Sequence, residues 1–274
     1  MTVKPIKLNS MVGAQWGQKG TLPIPTGPTY HELILDTNAK AIDMARITVT
    51  LNAEEIYVLD GPELLMLERY KRNDHTANHY VIPFSDIVAR TKNGVRYTGL
   101  VTELGDNIHL DIEFNPKSGA NVTPLSIQVH AWVSNAQAMR VLVPMMKRET
   151  MPANAAGVNE FTSLVSSPLI SVRRLHFMHD AITKLEIERD FVKEYEATRF
   201  INDANAKRNG RTPQAGYFHY DPIVRGFSID ELFPTQHSSS LKFSVTTDDI
   251  PGSIPILVES VKVVRPELLK GRQA

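Results

Sequence analysis

The chain has 274 residues, enough for two domains that each bury a core of their own. Its 42% hydrophobic content with 30 basic and 30 acidic residues is a globular composition; it argues against extensive disorder and leaves no net field drawing the protein toward nucleic acid. With no cysteine, disulfides, thiolate metal sites and thiol nucleophiles are excluded, and the absence of an apolar signal region in Met1 to Ser10 or of an eighteen-residue apolar run predicts neither a cleavable leader nor a spanning helix.

Taken in order, the first feature is the glycine-rich stretch Gly13 to Gly20, which matches neither a dinucleotide fingerprint nor a P-loop and reads as a flexible arm. Ile47 to Leu51 alternates in period two, as a half-buried strand does. A helix follows: Asp60 and Glu63 have capping-box spacing, Leu64, Leu65 and Leu67 form its apolar face, and Lys71-Arg72 meet the negative end of its dipole. Tyr80 to Phe84, Ile108 to Phe114, Leu125 to Val133 and Arg140 to Val143 read as further strands. Residues 147–168 lack periodicity and are rich in small and turn-forming residues, which predicts a linker. Beyond it come strands at Leu169 to Leu175 and Lys184 to Glu188, then a helix with Phe200, Ile201 and Ala204 as its stripe and Gly210 as its stop. Tyr217 to Tyr220, Leu241 to Val245 and Ile256 to Val264 complete the strands.

The chain carries a faint copy of itself. A shift of 136 positions (Arg72 onto Arg208) lays Val49, Leu51 and Ile56 on Leu185, Ile187 and Val192 and closes on an identical Lys-Arg-Asn. A shift of 131 (Leu110 onto Leu241) superimposes the strand pairs further on. Two similar halves result, each with an alternating strand, then a helix, then a basic exit. The predicted fold class is all-β with a few short helices, in two tandem sandwich- or barrel-like domains: 1–150 with an N-terminal arm, a linker at 151–168, and 169–274.

Reactive chemistry is sparse. His75 and His79 have the i, i+4 spacing of a helical zinc site without its glutamate, and His176 and His179 fit a strand end where the rings need not converge. Asp248-Asp249, in a predicted loop, is the candidate for a structural calcium, with a plain turn as the competing reading. Phe114, Trp132, Phe243 and Tyr217 read as core, and no catalytic or cofactor-binding residues stand out.

The opening Leu8-Asn9-Ser10, then Leu22-Pro23 through Gly27-Pro-Thr29-Tyr30 and the strand-helix unit after it, resembles the start of the major capsid proteins of corticoviruses, tailless icosahedral phages with an internal membrane. The second half, through Phe227-Ser-Ile-Asp-Glu231-Leu to Val264, is similar to the second domain of those proteins, and Met145 to Pro168 matches least. The resemblance implies a double jelly roll, two tandem eight-stranded jelly rolls at 1–150 and 169–274, built like the tectivirus and adenovirus capsid proteins, that is structural and not an enzyme. It implies a homotrimer of pseudo-hexagonal outline tiling a shell over a lipid membrane, with vertex and membrane-associated virion proteins as further partners, no direct nucleic-acid contact, and assembly in the host cytoplasm. Lys4, Lys7, Lys270 and Arg272, near the two ends, are the candidates for facing anionic lipid. Two other classes remain open. A jelly-roll receptor- or carbohydrate-binding module would expose clustered aromatics, and a metal-dependent bicupin would carry a His-x-His pair, which is absent here.

Overall fold

A computed structural model of the chain describes residues 2–73, 77–119, 122–162, 164 and 166–268. The first half contains β1 (Lys4–Lys7), β2 (Lys19–Pro23), β3 (Thr29–Thr37), β4 (Met44–Leu51), β5 (Glu54–Leu59), α1 (Gly61–Tyr70), β6 (His79–Pro83), α2 (Lys92–Thr98), β7 (Leu100–Val101), β8 (Ile108–Phe114) and β9 (Ile127–Ser134). The second contains β10 (Leu142–Ala153), β11 (Gly157–Phe161), β12 (Ile170–Phe177), β13 (Ile182–Arg189), β14 (Val192–Thr198), α3 (Arg199–Arg208), β15 (Phe218–Tyr220), β16 (Phe233–Pro234), β17 (Leu241–Thr247) and β18 (Gly252–Val263).

Hydrogen bonding orders these strands into two copies of one topology. In the first half β1-β9-β3-β6 faces β5-β4-β8-β2; in the second β10-β18-β12-β15 faces β14-β13-β17-β11. Both are eight-stranded jelly rolls, each with one short extra strand, β7 on β3 and β16 on β12. The halves join where β10 runs parallel beside β5, pairing Met146 with Tyr57, so that one sheet passes from the first jelly roll into the second.

The alternation read from sequence builds two separate cores. Leu33, Leu35, Ile47, Val49, Leu110 and Ile112 lie in the first and Leu185, Ile187, Phe243, Val245, Ile254 and Ile256 in the second, each fully buried. Burial of each such side chain stabilises the fold by roughly 1.5–3 kcal/mol.

Irregularities repeat along with the strands. Bulges fall between Val49 and Thr50 and between Ile187 and Glu188, between Met44 and Arg46 and between Ile182 and Lys184, and between Tyr30 and Glu32 and between Val172 and Arg174. The β4–β5 turn sets Asn52 and Ala53 at φ 50 and 68, and the β13–β14 turn sets Asp190 and Phe191 at φ 49 and 67. These are both hairpins with two left-handed central residues, the arrangement that matches strand twist.

The true offset is therefore 138 (190 less 52) for these elements, not 136, and 133 (245 less 112) for β8 onto β17, not 131. Each sequence match slipped by two residues. A slip of two leaves every side chain on its own face, so the apolar pattern cannot detect it. The shared Lys-Arg-Asn is coincidental, because the first copy follows α1 while Lys207 and Arg208 lie in the last turn of α3.

Four other expectations are corrected. The stretch 151–168 is no linker: it carries the end of β10 and all of β11, whose small residues are held by pairing to β18 and β17. Gly13 to Gly20 is folded back, with Val12 bridged to Thr21, the Trp16 Nε1–H donating to the Thr123 carbonyl at 2.8 Å, and Lys117 over the Trp16 ring. Trp132 is 37% exposed because its neighbours Ala131 and Val133 face the core, and strand parity overrides size. On α3, Phe200 and Ile201 face outward while Asn202 and Ala206 are buried.

The capping box at α1 forms as read, with Asp60 accepting from the Glu63 N–H and Glu63 from the Asp60 N–H. Next to it, a Cβ on Gly61 would lie 2.1 Å from the Ala41 carbonyl oxygen. Gly61→Ala should therefore cost about 1–3 kcal/mol by backbone collision, and Gly210→Ala, with φ +78 but open space, about 1–2 kcal/mol through conformation alone. Urea unfolding of the two variants checks that order; equal losses would mean the approach at Gly61 relaxes freely.

Candidate functional site

Between the jelly rolls lies a seam of buried charge. The face of β12 and β18 opposite the second core carries Arg174, His176 and Glu259, and it packs on the end of α1 and on the segment after β6. Arg174 lies at its centre with no exposed side-chain surface. Its Nη2 is 3.0 Å from Asp86, its Nε 3.0 Å from Asp221 and its Nη1 3.3 Å from Glu259. From the first half, Lys71 reaches Glu259 at 3.3 Å and the Tyr70 hydroxyl donates to Asp221 at 3.2 Å. Arg211 adds a contact to Asp221, and Arg173 donates to the Phe84 carbonyl. At the seam's rim, Arg148 of β10 bonds Glu63 at 2.7 Å and also Asp60.

Two histidines complete it. The backbone N–H of Gln214 donates to His219 Nε2 at 3.3 Å, which places the His219 proton on Nδ1. That proton goes to His176 Nδ1, 2.7 Å away, and His176 Nε2–H in turn donates to Glu259 at 2.9 Å. Tyr70 and Tyr217 lie against the His219 ring with centroids 4.2 and 5.6 Å away. Both rings are neutral in this arrangement.

Electrostatics agree with the geometry. Burial lowers the pKa of His176, against the pull of Glu259, and lowers that of His219 well below the usual value, reinforced by His176 and Arg199. Burial by itself would raise Glu259 and Asp86, but Lys71, Arg174 and Arg173 hold both carboxylates low. Burial likewise opposes the charge on Arg174, which Asp221, Asp86 and Glu259 more than restore. A cleft of about 270 Å³, lined by Tyr70, Tyr195, Asn202, His219, Asp221 and Arg225 among others, brings solvent to its edge.

The residues singled out from sequence fall mostly elsewhere. Asp248 and Asp249 are exposed in the β17–β18 turn, where Asp249 accepts from the Ile250 N–H, and among the described residues no group of three metal-binding side chains forms. Lys4 and Lys7 are exposed on the edge strand β1, while Lys270 and Arg272 lie outside the described residues. His75 also lies outside them, and His79 sits on β6, 3.7 Å from Asp36. His176, read as a strand-end side chain, is instead wholly buried in the seam, and His179 accepts from the Ala181 N–H. Sequence reasoning missed the seam itself. Its signals were a charged pair, Arg173-Arg174, inside one apolar strand and Glu259 in the middle of another.

Protonation of either histidine would set new positive charge beside Arg174 and Lys71. Both folded values lie below the unfolded 6.5, so the unfolded chain binds more protons as pH falls, and stability drops below about 6.5. The low carboxylates act in the same direction at lower pH. Glu32, pushed up to about 7 by burial and by Glu68, opposes the slope between about 7 and 4.5. Thermal melting across pH 7 to 5 should show a falling midpoint, and His219→Phe should flatten part of that fall; an unchanged slope would remove His219 from it. Glu259→Ala, which takes the carboxylate from buried Lys71 and leaves Arg174 with two of its three, should cost about 3–5 kcal/mol in urea unfolding, and a loss under 1 kcal/mol would mean solvent reaches the seam.

Comparison with known proteins points the same way as the topology. The family model of the viral coat protein P2 N-terminal domain matches residues 5–134, and that of the P2 C-terminal domain matches residues 143–264. The major capsid protein P2 of bacteriophage PM2 superposes with TM-score 0.86 at 14% identity, over 96% of this chain and 98% of that one. The major capsid protein of Sulfolobus Turreted Icosahedral Virus does so with TM-score 0.72 at 10% identity, over 98% and 99%, and the PBCV-1 capsid with 0.61 at 7%, over 96% and 95%. No curated protein sequence matches the chain.

Proposed function

The chain belongs to the viral coat protein P2 family, a structural protein of the virion capsid, and we propose that it works as the major capsid protein of a tailless phage, forming homotrimers that tile an icosahedral shell over an internal membrane. One observation carries this reading: two jelly rolls of the same strand order stand side by side, joined at β5 and β10. Three such chains present six nearly equivalent units, which pack on a hexagonal lattice although each chain is needed only three times. Rigid sandwich walls then fix the shape, and loops and chain ends supply contacts that differ between lattice positions.

The placement of the chain ends supports a membrane-facing base. Lys4 lies opposite Val133 near the end of β9, and the Val264 N–H donates to the Val141 carbonyl just before β10 begins, so the two ends flank the single connection 135–141. No helix among the described residues is long and apolar enough to cross a bilayer. Contact with lipid would therefore be electrostatic, through Lys4, Lys7, Lys270 and Arg272, each worth roughly 1 kcal/mol near an anionic surface. Vertex proteins and membrane-associated virion proteins would complete the shell.

Light scattering on the purified chain should give about 92 kDa, three chains of 30.7 kDa. A monomer at every concentration would overturn the trimer. Changing the four basic residues to Ser should weaken binding to phosphatidylserine vesicles by tens-fold or more at low salt, and undiminished binding would remove them from the lipid-facing surface.

A further inference from the structure

Each jelly roll holds out an apolar tip at the same end of the molecule. β10 begins and β18 ends beside the connection 135–141, and β5, parallel to β10, starts there too. The β4–β5 turn and the loop before β8, joined by the Asn107 N–H donating to Asn52, therefore lie at the end that carries the chain termini. In that loop Leu104 is 102% accessible. The loop is not loose: Asp106 accepts from the Glu103 N–H at 2.6 Å and from Arg140 at 2.7 Å, and Glu103 accepts from Arg265 at 2.7 Å.

In the second half the β13–β14 turn, counterpart of β4–β5, reaches the same end. Arg189 donates to the Pro234 carbonyl at 2.6 Å, and Pro234 pairs with Ser171 at the start of β12. Here Phe191 is 78% accessible and Val192 65%. Asp190 pins the turn by accepting from the backbone N–H groups of Ser238, Ser239 and Ser240.

Phe191 is also the wrong residue for its backbone. A two-residue hairpin turn with both central residues left-handed favours Asn or Asp followed by Gly, yet Asp190 is followed by Phe191 at φ 67, where a bulky side chain crowds the chain. Among the described residues the other non-glycine positions of positive φ are Asn52, Ala53, Arg72, Asn78 and Asp190, so Phe191 is the one large apolar residue held this way. Exposed Ile42 and Ile250, at the opposite end, have ordinary backbone. Strain and exposure combined on one residue serve nothing in the isolated chain, and such outliers mark function.

We propose that Leu104 of the first jelly roll and Phe191 with Val192 of the second insert into the headgroup and upper acyl region of the lipid bilayer beneath the shell. This rests on the membrane-facing base proposed above and adds an apolar component to the charge named there. The tips are convex and stand on separate domains. A fluid interface takes in such points without a pocket matched to each, which a folded partner would have to supply. Because both loops are already fixed by hydrogen bonds, insertion orders little that was free. A trimer carries three of each tip, so individually weak insertions act together.

Flotation of the purified chain with vesicles of equimolar phosphatidylcholine and phosphatidylserine tests this in about 1 M salt, where charges are screened beyond roughly 3 Å. The native chain should still bind. Phe191→Gly should bind at least tenfold more weakly and at the same time melt at a higher temperature, since Asp-Gly suits the turn. Leu104→Ser should weaken binding by a similar factor, and Ile250→Ser should leave it unchanged. Native binding at low salt that vanishes at about 1 M overturns insertion and leaves a base held by charge. Undiminished binding by Phe191→Gly and Leu104→Ser overturns it as well, as does an equal loss in Ile250→Ser. A lower melting temperature for Phe191→Gly means that the ring serves the fold, and it too overturns the assignment. No vesicle binding by the native chain at any salt overturns both insertion and the membrane-facing base.

Discussion

The relative setting of the two jelly rolls depends on Arg174. Its guanidinium is fully buried, and three carboxylates from three separate segments, Asp86, Asp221 and Glu259, converge on it. Removing such a group from water costs several kcal/mol, and the attraction of its partners offsets this only when all of them are correctly placed. Buried ion pairs therefore add little net stability over an apolar contact of the same size. What they add is a penalty for every other arrangement, since a sliding or rotated domain would leave a charge unpaired in a low-dielectric interior. For a shell component, that penalty is what fixes the angle between its two units.

The chemistry of the seam between the two halves suits its role. The seam joins domains already tethered by seven residues, 135–141, so the effective concentration of one half for the other is high and the contact can tolerate the desolvation of charge. The same backbone frame, with its bulges and left-handed hairpin turns preserved, recurs in both halves.

Neutral His176 and His219 make the seam sensitive to mild acid, at higher pH than its carboxylates. They are linked in one proton-ordered chain from Gln214 to Glu259, with tyrosine rings on His219 and a solvent-lined cleft at its edge. A proton that enters has no acceptor to spare, because Glu259 already answers to Lys71, Arg174 and His176.

Strand alternation, the Asp60–Glu63 cap and the existence of two like halves were legible in the amino-acid sequence, because parity, capping spacing and composition are local properties that tertiary contacts rarely overturn. The register of the duplication was not, since a slip of two preserves parity, nor was the true place of residues 151–168, whose strand pairing comes from β17 and β18, 82 (243 less 161) to 103 (254 less 151) residues away. Trp132, Phe200 and Ile201 read as buried because they are large and apolar, yet their position on the pleat or helix turns them outward. Glu259 and Arg174 are the converse: charged residues inside apolar runs, whose burial requires partners that only folding brings from Lys71, Asp86 and Asp221. Sequence alone determined what each half is. Only the tertiary structure decided how the halves are locked together, because charge pairing across a seam is a property of distances that no single segment contains.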